Sequence, residues 1–196
     1  MHTQLKKIKC YFCGGPHLCR YCKVEKKKSP IMKKKVGKYM EKYYADNFKC
    51  IRCGSSNLIV LNNRSPSLDI TCPNPECKNK LEIKSKALSC NPLPKDIKMP
   101  HGSFHHYIKR QKEGLDFAII IYGINRITKK IKIKEIMYFL NEVMNTRLIK
   151  IIPQKKNKLS EIIIENREDS NILKLTIPKN NIIDFKKRVA NIRVET

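Results

Sequence analysis

Cys50-Ile51-Arg52-Cys53, then Ser67-Leu68-Asp69-Ile70-Thr71-Cys72-Pro73-Asn74-Pro75-Glu76-Cys77, then Lys80-Leu81-Glu82-Ile83-Lys84 form the stretch that decides the fold. Cys50-x2-Cys53 and Cys72-x4-Cys77 supply four thiolates, the number a closed tetrahedral zinc site requires. Between the pairs, Asn57–Leu61 and Ser67–Cys72 read as strands around the turn residues Asn62-Asn63-Arg64-Ser65-Pro66. A hairpin of those strands lays the start of the first beside the end of the second. All four cysteines then meet at one end of the sheet. Lys80–Ala87 is the third strand, reached through the Pro73–Glu76 loop.

Asp69 on the second strand falls opposite residue 82 or its neighbour in an antiparallel pair. Glu82 and Lys84, two apart on a strand, share one face. Two carboxylates and an ammonium therefore converge, the set that metal-assisted phosphodiester cleavage needs: carboxylates for Mg²⁺ or Mn²⁺, and a lysine for water or developing charge. This arrangement resembles the PD-(D/E)xK, or restriction-endonuclease-like, nuclease superfamily over roughly residues 31–125. The resemblance implies that Asp69 and Glu82 are magnesium ligands and that Lys84 orients water or phosphate. Glu41, on a helix before the strands, stands where some families carry a further acidic ligand. Ser65-Pro66-Ser67-Leu68-Asp69 departs from a literal Pro-Asp. The assembly is also similar to small zinc-containing proteins of large DNA viruses.

A second cysteine cluster opens the chain: Cys10-Tyr11-Phe12-Cys13-Gly14-Gly15-Pro16-His17-Leu18-Cys19-Arg20-Tyr21-Cys22. Cys10, Cys13, His17 and Cys22 resemble a retroviral-type zinc knuckle with one residue missing before the histidine, and Tyr11 falls where that family places an aromatic residue. Cys19 competes with His17 as the fourth ligand. The expectation is thus two zinc sites and an α/β protein. Residues 1–29 form a knuckle-like module, 30–146 a zinc-stapled core with a mixed sheet and flanking helices, and 147–196 a β-rich extension with a terminal helix.

Further elements follow from periodicity. Ile31, Val36, Met40, Tyr43 and Tyr44 mark the apolar face of a helix ending near Asn47, after a Lys26–Pro30 break. Residues 91–101, with three prolines, read as a loop, and a helix is expected from His101 to Gln111. Phe117–Gly123 is a buried strand, Arg126–Lys134 a turn and strand, and Glu135–Met144 a helix. Leu148–Pro153, Ser160–Glu165 and Ile172–Ile177 are strand-like, and Ile182–Val189 reads as a basic helix.

Composition points the same way. Forty-two basic residues against seventeen acidic ones give a net charge of +25, so the expected partner is a polyanion, with DNA favoured over RNA. Apolar runs are too short for a membrane span and the start lacks a signal-peptide core, which favours an intracellular setting, whether nucleus, viral factory or virion. Many enzymes of the nuclease superfamily are homodimers, though no interface is marked here. The alternative function is a non-catalytic, zinc-dependent nucleic-acid-binding protein of viral transcription or genome packaging.

Overall fold

The computed structural model describes residues 23–61, 68–88, 96–103, 112–125, 128, 130–143, 149–153, 159–165, 172–179, 181–189 and 192. The N-terminal ligands Cys10, Cys13, His17, Cys19 and Cys22 lie outside these residues, as do Cys90 and most of the segment expected to form a helix up to Gln111.

Helix α1 (Lys23–Asn47) is followed by β1 (Ile59–Val60), β2 (Ile70–Thr71), β3 (Lys80–Ala87), β4 (Asp96–Ser103), β5 (Asp116–Asn125) and β6 (Lys130–Phe139). Then come β7 (Ile149–Pro153), β8 (Leu159–Glu165), β9 (Leu173–Lys174) and β10 (Ile182–Asp184). Seven strands form a mixed sheet in the order β1-β2-β3-β5-β6-β10, with β9 also on β6, and β4-β8-β7 form a second, three-stranded sheet. The protein is a mixed α/β protein. Strands from both sides of residue 146 contribute to each sheet.

In the large sheet β3 and β5 run parallel, while the other pairs are antiparallel. A parallel pair cannot be joined by a hairpin, and here residues 88–115 make the crossover. β5 opens Asp-Phe-Ala-Ile-Ile-Ile-Tyr and is buried from Asp116 to Tyr122, as a central strand covered on both faces should be. One face packs Ala118, Ile120 and Tyr122 with Leu81, Ile83, Ile131, Ile133 and Tyr138 against Val36, Met40, Tyr43 and Tyr44 of α1. Those α1 positions are the apolar stripe read from the sequence. Phe117, Ile119, Ile121, Met137 and Phe139 are also fully buried, outside that cluster.

Five expectations need correction. Residues 135–139 continue β6, and the expected Glu135–Met144 helix is reduced to a 3₁₀ turn at Asn141–Val143. The cause is a bulge: Ile121 pairs with Glu135 but Tyr122 with Ile133, so one extra residue shifts the alternation. Ile131 and Ile133, then Ile136 and Tyr138, thereby reach the same core. On paper that slipped alternation imitates helical spacing.

Residues 96–101, expected to be loop, belong to β4, and His101–Ser103 finish that strand instead of starting a helix. Pro100 is compatible because β4 is an edge strand with an irregular register at Pro100/Gly102. α1 starts at Lys23, passing through Ser29-Pro30. A proline there removes the single backbone bond back to Lys26. Finally, Ile182–Asp184 pair with β6, leaving only a π turn at Phe185–Val189 where a terminal helix was expected.

Candidate metal centre and acidic cluster

The two cysteine pairs sit on tight turns. Cys50 N–H donates to Ser55 O (2.9 Å) and Gly54 N–H to Cys50 O (2.8 Å). Gly54 has φ +76°, a conformation that glycine adopts without a side-chain clash. In the second turn, Cys72 N–H donates to Asn79 O (2.9 Å) and Lys78 N–H to Asn74 O (3.1 Å). The β2–β3 hairpin closes these turns together.

The result brings the Sγ atoms of Cys50, Cys53, Cys72 and Cys77 all within 4.8 Å of one another. Cys50 and Cys77 are 3.7 Å apart, and Cys53 and Cys72 3.5 Å. Thiolates about 2.3 Å from a tetrahedral ion are about 3.8 Å from each other, so the quartet fits a metal ion such as zinc. These separations are far beyond a disulfide bond. Hydrogen bonding to Ser55 draws the Cys53 thiol down to about 6, whereas burial raises Cys72 and pushes Cys77 up to about 12. A bound dication favours the thiolate at all four.

Behind the quartet lies a polar network that sequence reading missed. Asn79 Nδ2 donates to Cys50 Sγ (3.7 Å) and to Tyr138 Oη (3.1 Å). The Tyr138 hydroxyl donates to Asp116, and Asn141 N–H donates to the same carboxylate at 2.9 Å. Arg52, inside the Cys50-x2-Cys53 turn, completes the set with Nε–Oδ2 of 2.8 Å and Nη2–Oδ1 of 2.6 Å. Asp116 is fully buried and receives all four hydrogen bonds. Burial and the Asp116 charge raise the Tyr138 hydroxyl's proton affinity, keeping it a donor. A charged residue opening an apolar strand signals that a partner is needed. That the partner is Arg52, 64 residues away, is not readable from local pattern.

The acidic residues gather on the other flank of the β2–β3 hairpin. Ile70 pairs with Leu81 and Thr71 with Lys80, so Asp69 falls opposite Glu82 when the register is continued, as expected from the sequence. Asp69 N–H donates to Leu81 O (3.2 Å), and its Oδ2 accepts from Ile83 N–H (2.7 Å). Glu82, almost fully buried, forms an ion pair with Lys84. From α1, buried Glu41 places Oε2 3.2 Å from Lys38 Nζ, yet that oxygen has no well-formed hydrogen bond. Burial raises the proton affinity of Glu41, and the Asp69 charge raises it further, against the opposing pull of Lys38 and Lys84.

Glu41, Asp69, Lys38 and Lys84 thus share one electrostatic neighbourhood, with Glu82 tied to it through Lys84. Among the described residues, the cysteine quartet is the only group of three or more His, Cys, Asp or Glu with every ligand atom within 4.8 Å of the others. The carboxylates are neighbours that do not converge to that distance. Their hard oxygens suit Mg²⁺ chemically, but Glu41 Oε2 already has Lys38 as an ion-pair partner. Asp69 Oδ2 and Glu82 are likewise engaged.

No family model matches the chain. No curated protein matches it. Among the described residues, no helix is long and apolar enough to cross a membrane.

Proposed function

We propose that this chain is a metal-dependent nuclease whose cysteine corner is structural and whose reactive site is Asp69, Glu82 and Lys84, with Glu41 as an auxiliary acid. The observation that carries the reading is the juxtaposition of Asp69 with Glu82-x-Lys84 on the next strand, while α1 brings Glu41 into the same field. The order of elements supports it in part: a helix precedes the antiparallel β1, β2 and β3, and β5 runs parallel to β3, although β4, a strand of the other sheet, comes between them in the chain. The net charge of +25 supports a nucleic-acid substrate, DNA before RNA.

Asp69 and Glu82 would hold Mg²⁺ or Mn²⁺, with Glu41 beside them. Such an ion supplies charge stabilisation at the scissile phosphate and an activated water. Lys84, now neutralising Glu82, is positioned to turn toward phosphate oxygens once Glu82 engages a cation. Asp69 is fixed by the Ile83 amide, so Oδ2 anchors the side chain to β3 and Oδ1 would be the oxygen offered to a cation. In hydrolysis the water oxygen bonds to phosphorus, the phosphorus–oxygen bond to the leaving sugar breaks, and that oxygen takes a proton.

The second reading is a zinc-dependent nucleic-acid-binding protein without turnover. The Glu82–Lys84 ion pair and the bond from Ile83 to Asp69 favour it, since both satisfy the acids without a cation. Cleavage of labelled single- and double-stranded DNA and RNA with Mg²⁺ or Mn²⁺ separates the two. The nuclease reading expects cutting that disappears in Asp69→Ala and Glu82→Ala while one equivalent of zinc remains at the quartet. Binding without cutting on every substrate decides for the second reading.

A further inference from the structure

Helix α1 has two unlike sides. Val36, Met40, Tyr43 and Tyr44 are buried, whereas Lys42 is exposed and Lys35 and Lys38 are half-exposed. Lys35, Lys38 and Lys42 are spaced i, i+3 and i+7, so they form one ridge about 10 Å long on the solvent side. Both flanks of that ridge are defined. On one, Lys38 reaches Glu41 and, at 3.5 Å, the carbonyl of Leu61, at the edge of the acidic cluster. On the other, Tyr39 feels the positive charge of Arg188 from the Phe185–Val189 turn, whose Val189 packs into the α1 core. Lys187 and Arg188 are themselves exposed. Asp46 is the exposed acid on this side of the helix.

We infer that this ridge, from Arg188 and Lys187 across Lys35 and Lys42 to Lys38, is the track for a nucleic-acid phosphate backbone and delivers it to the acidic cluster. The inference rests on the nucleic-acid part of the functional reading and adds where the strand lies. Lys35, Lys38 and Lys42 sit on one helix, are spaced over about 10 Å, and lead to the carboxylates, with Arg188 on the flanking turn, so the phosphates would cross α1 instead of entering from the cysteine corner. Each phosphate neutralised there releases condensed counterion, which makes the track measurable by salt dependence.

The test is binding of fluorescein-labelled DNA and RNA of mixed sequence at several salt concentrations, with no divalent cation added beyond the protein's zinc. Wild type is compared with Lys35→Glu/Lys42→Glu and with Lys130→Glu/Lys132→Glu. The second pair makes the same charge change from exposed β6 positions that alternate with the core residues Ile131 and Ile133 and so leave the opposite face of the sheet. The α1 pair should weaken binding about tenfold or more and lower the log–log salt slope by about 1.4 on single strands or about 1.8 on duplex. The β6 pair should change the slope by less than half as much. Equal losses in both variants, or an unchanged slope in the α1 variant, would overturn the track. So would a wild type that binds vesicles containing phosphatidylserine and neither nucleic acid. Because no cleavage is read, a protein that binds in this way but never cuts retains the track and loses only the nuclease reading.

Discussion

The cysteine corner and the acidic cluster flank the same β2–β3 hairpin, yet they treat buried charge in opposite ways. At the corner, Asp116 is fully buried and meets two guanidinium bonds, a tyrosine hydroxyl and a backbone amide. At the cluster, Glu41 is buried near another carboxylate, and its Oε2 has only the Lys38 ammonium at 3.2 Å, without a well-formed hydrogen bond. A buried charge with all its partners holds geometry, whereas acids held near one another retain affinity for something positive. The difference separates a carboxylate held by four hydrogen bonds from one that burial and a neighbouring charge make easier to protonate.

The comparison breaks most visibly if the corner is dismantled. Cys50→Ser should lower the bound zinc by one equivalent and the unfolding temperature by about 10 °C or more, read together by metal analysis and circular dichroism. Asp116→Ala should cost about 3–5 kcal/mol in urea unfolding, because the buried Tyr138 hydroxyl and the Asn141 amide lose their acceptor and Arg52 is left with Glu142 alone. A loss below about 1 kcal/mol would show that the network is dispensable.

Glu41→Gln should run the other way, leaving stability at neutral pH equal to wild type or higher by up to about 1 kcal/mol. The sign follows from linkage. Glu41 binds its proton more tightly folded than unfolded, so its contribution is full below the unfolded value and is lost as pH rises through the folded one. Urea midpoints should therefore fall less with rising pH in the variant than in wild type. A steeper fall in Glu41→Gln would refute the assignment.

The smallest effect sharpens the contrast between two tyrosines. Tyr44 is buried with an orphan hydroxyl, so Tyr44→Phe should change stability by less than about 0.5 kcal/mol. Tyr138→Phe strips bonds from both Asp116 and Asn79 and should cost about 1–3 kcal/mol by the same measurement.

What the sequence disclosed was governed by distance along the chain. Cys50, Cys53, Cys72 and Cys77 were readable because ligand spacing is local chemistry, and β3 was found at its observed bounds. Asp69 facing Glu82 followed from a hairpin short enough to fix its register. The α1 stripe was legible because a helix repeats its burial every few residues. β6 was not, because one extra residue at Lys134/Glu135 broke the alternation. Arg52 with Asp116 was hidden by the long sequence interval between them, and β4 by Pro100, which an edge strand with an irregular register accommodates. The parallel β3–β5 pair depends on a crossover that no local signal encodes.

That crossover has a consequence during synthesis. β4 is made between β3 and β5 but pairs with β8, 56 residues beyond its own end at Ser103. At ribosomal speeds of about 5–20 residues per second, β4 waits about 3–11 s for its partner, after β3 and β5 can already have paired. An unpaired strand in a crowded cell is a template for the wrong neighbour. Lys98 and Pro100, midway along β4, are the residue types that discourage such pairing, so the chain carries its own guard for the interval before β8 arrives.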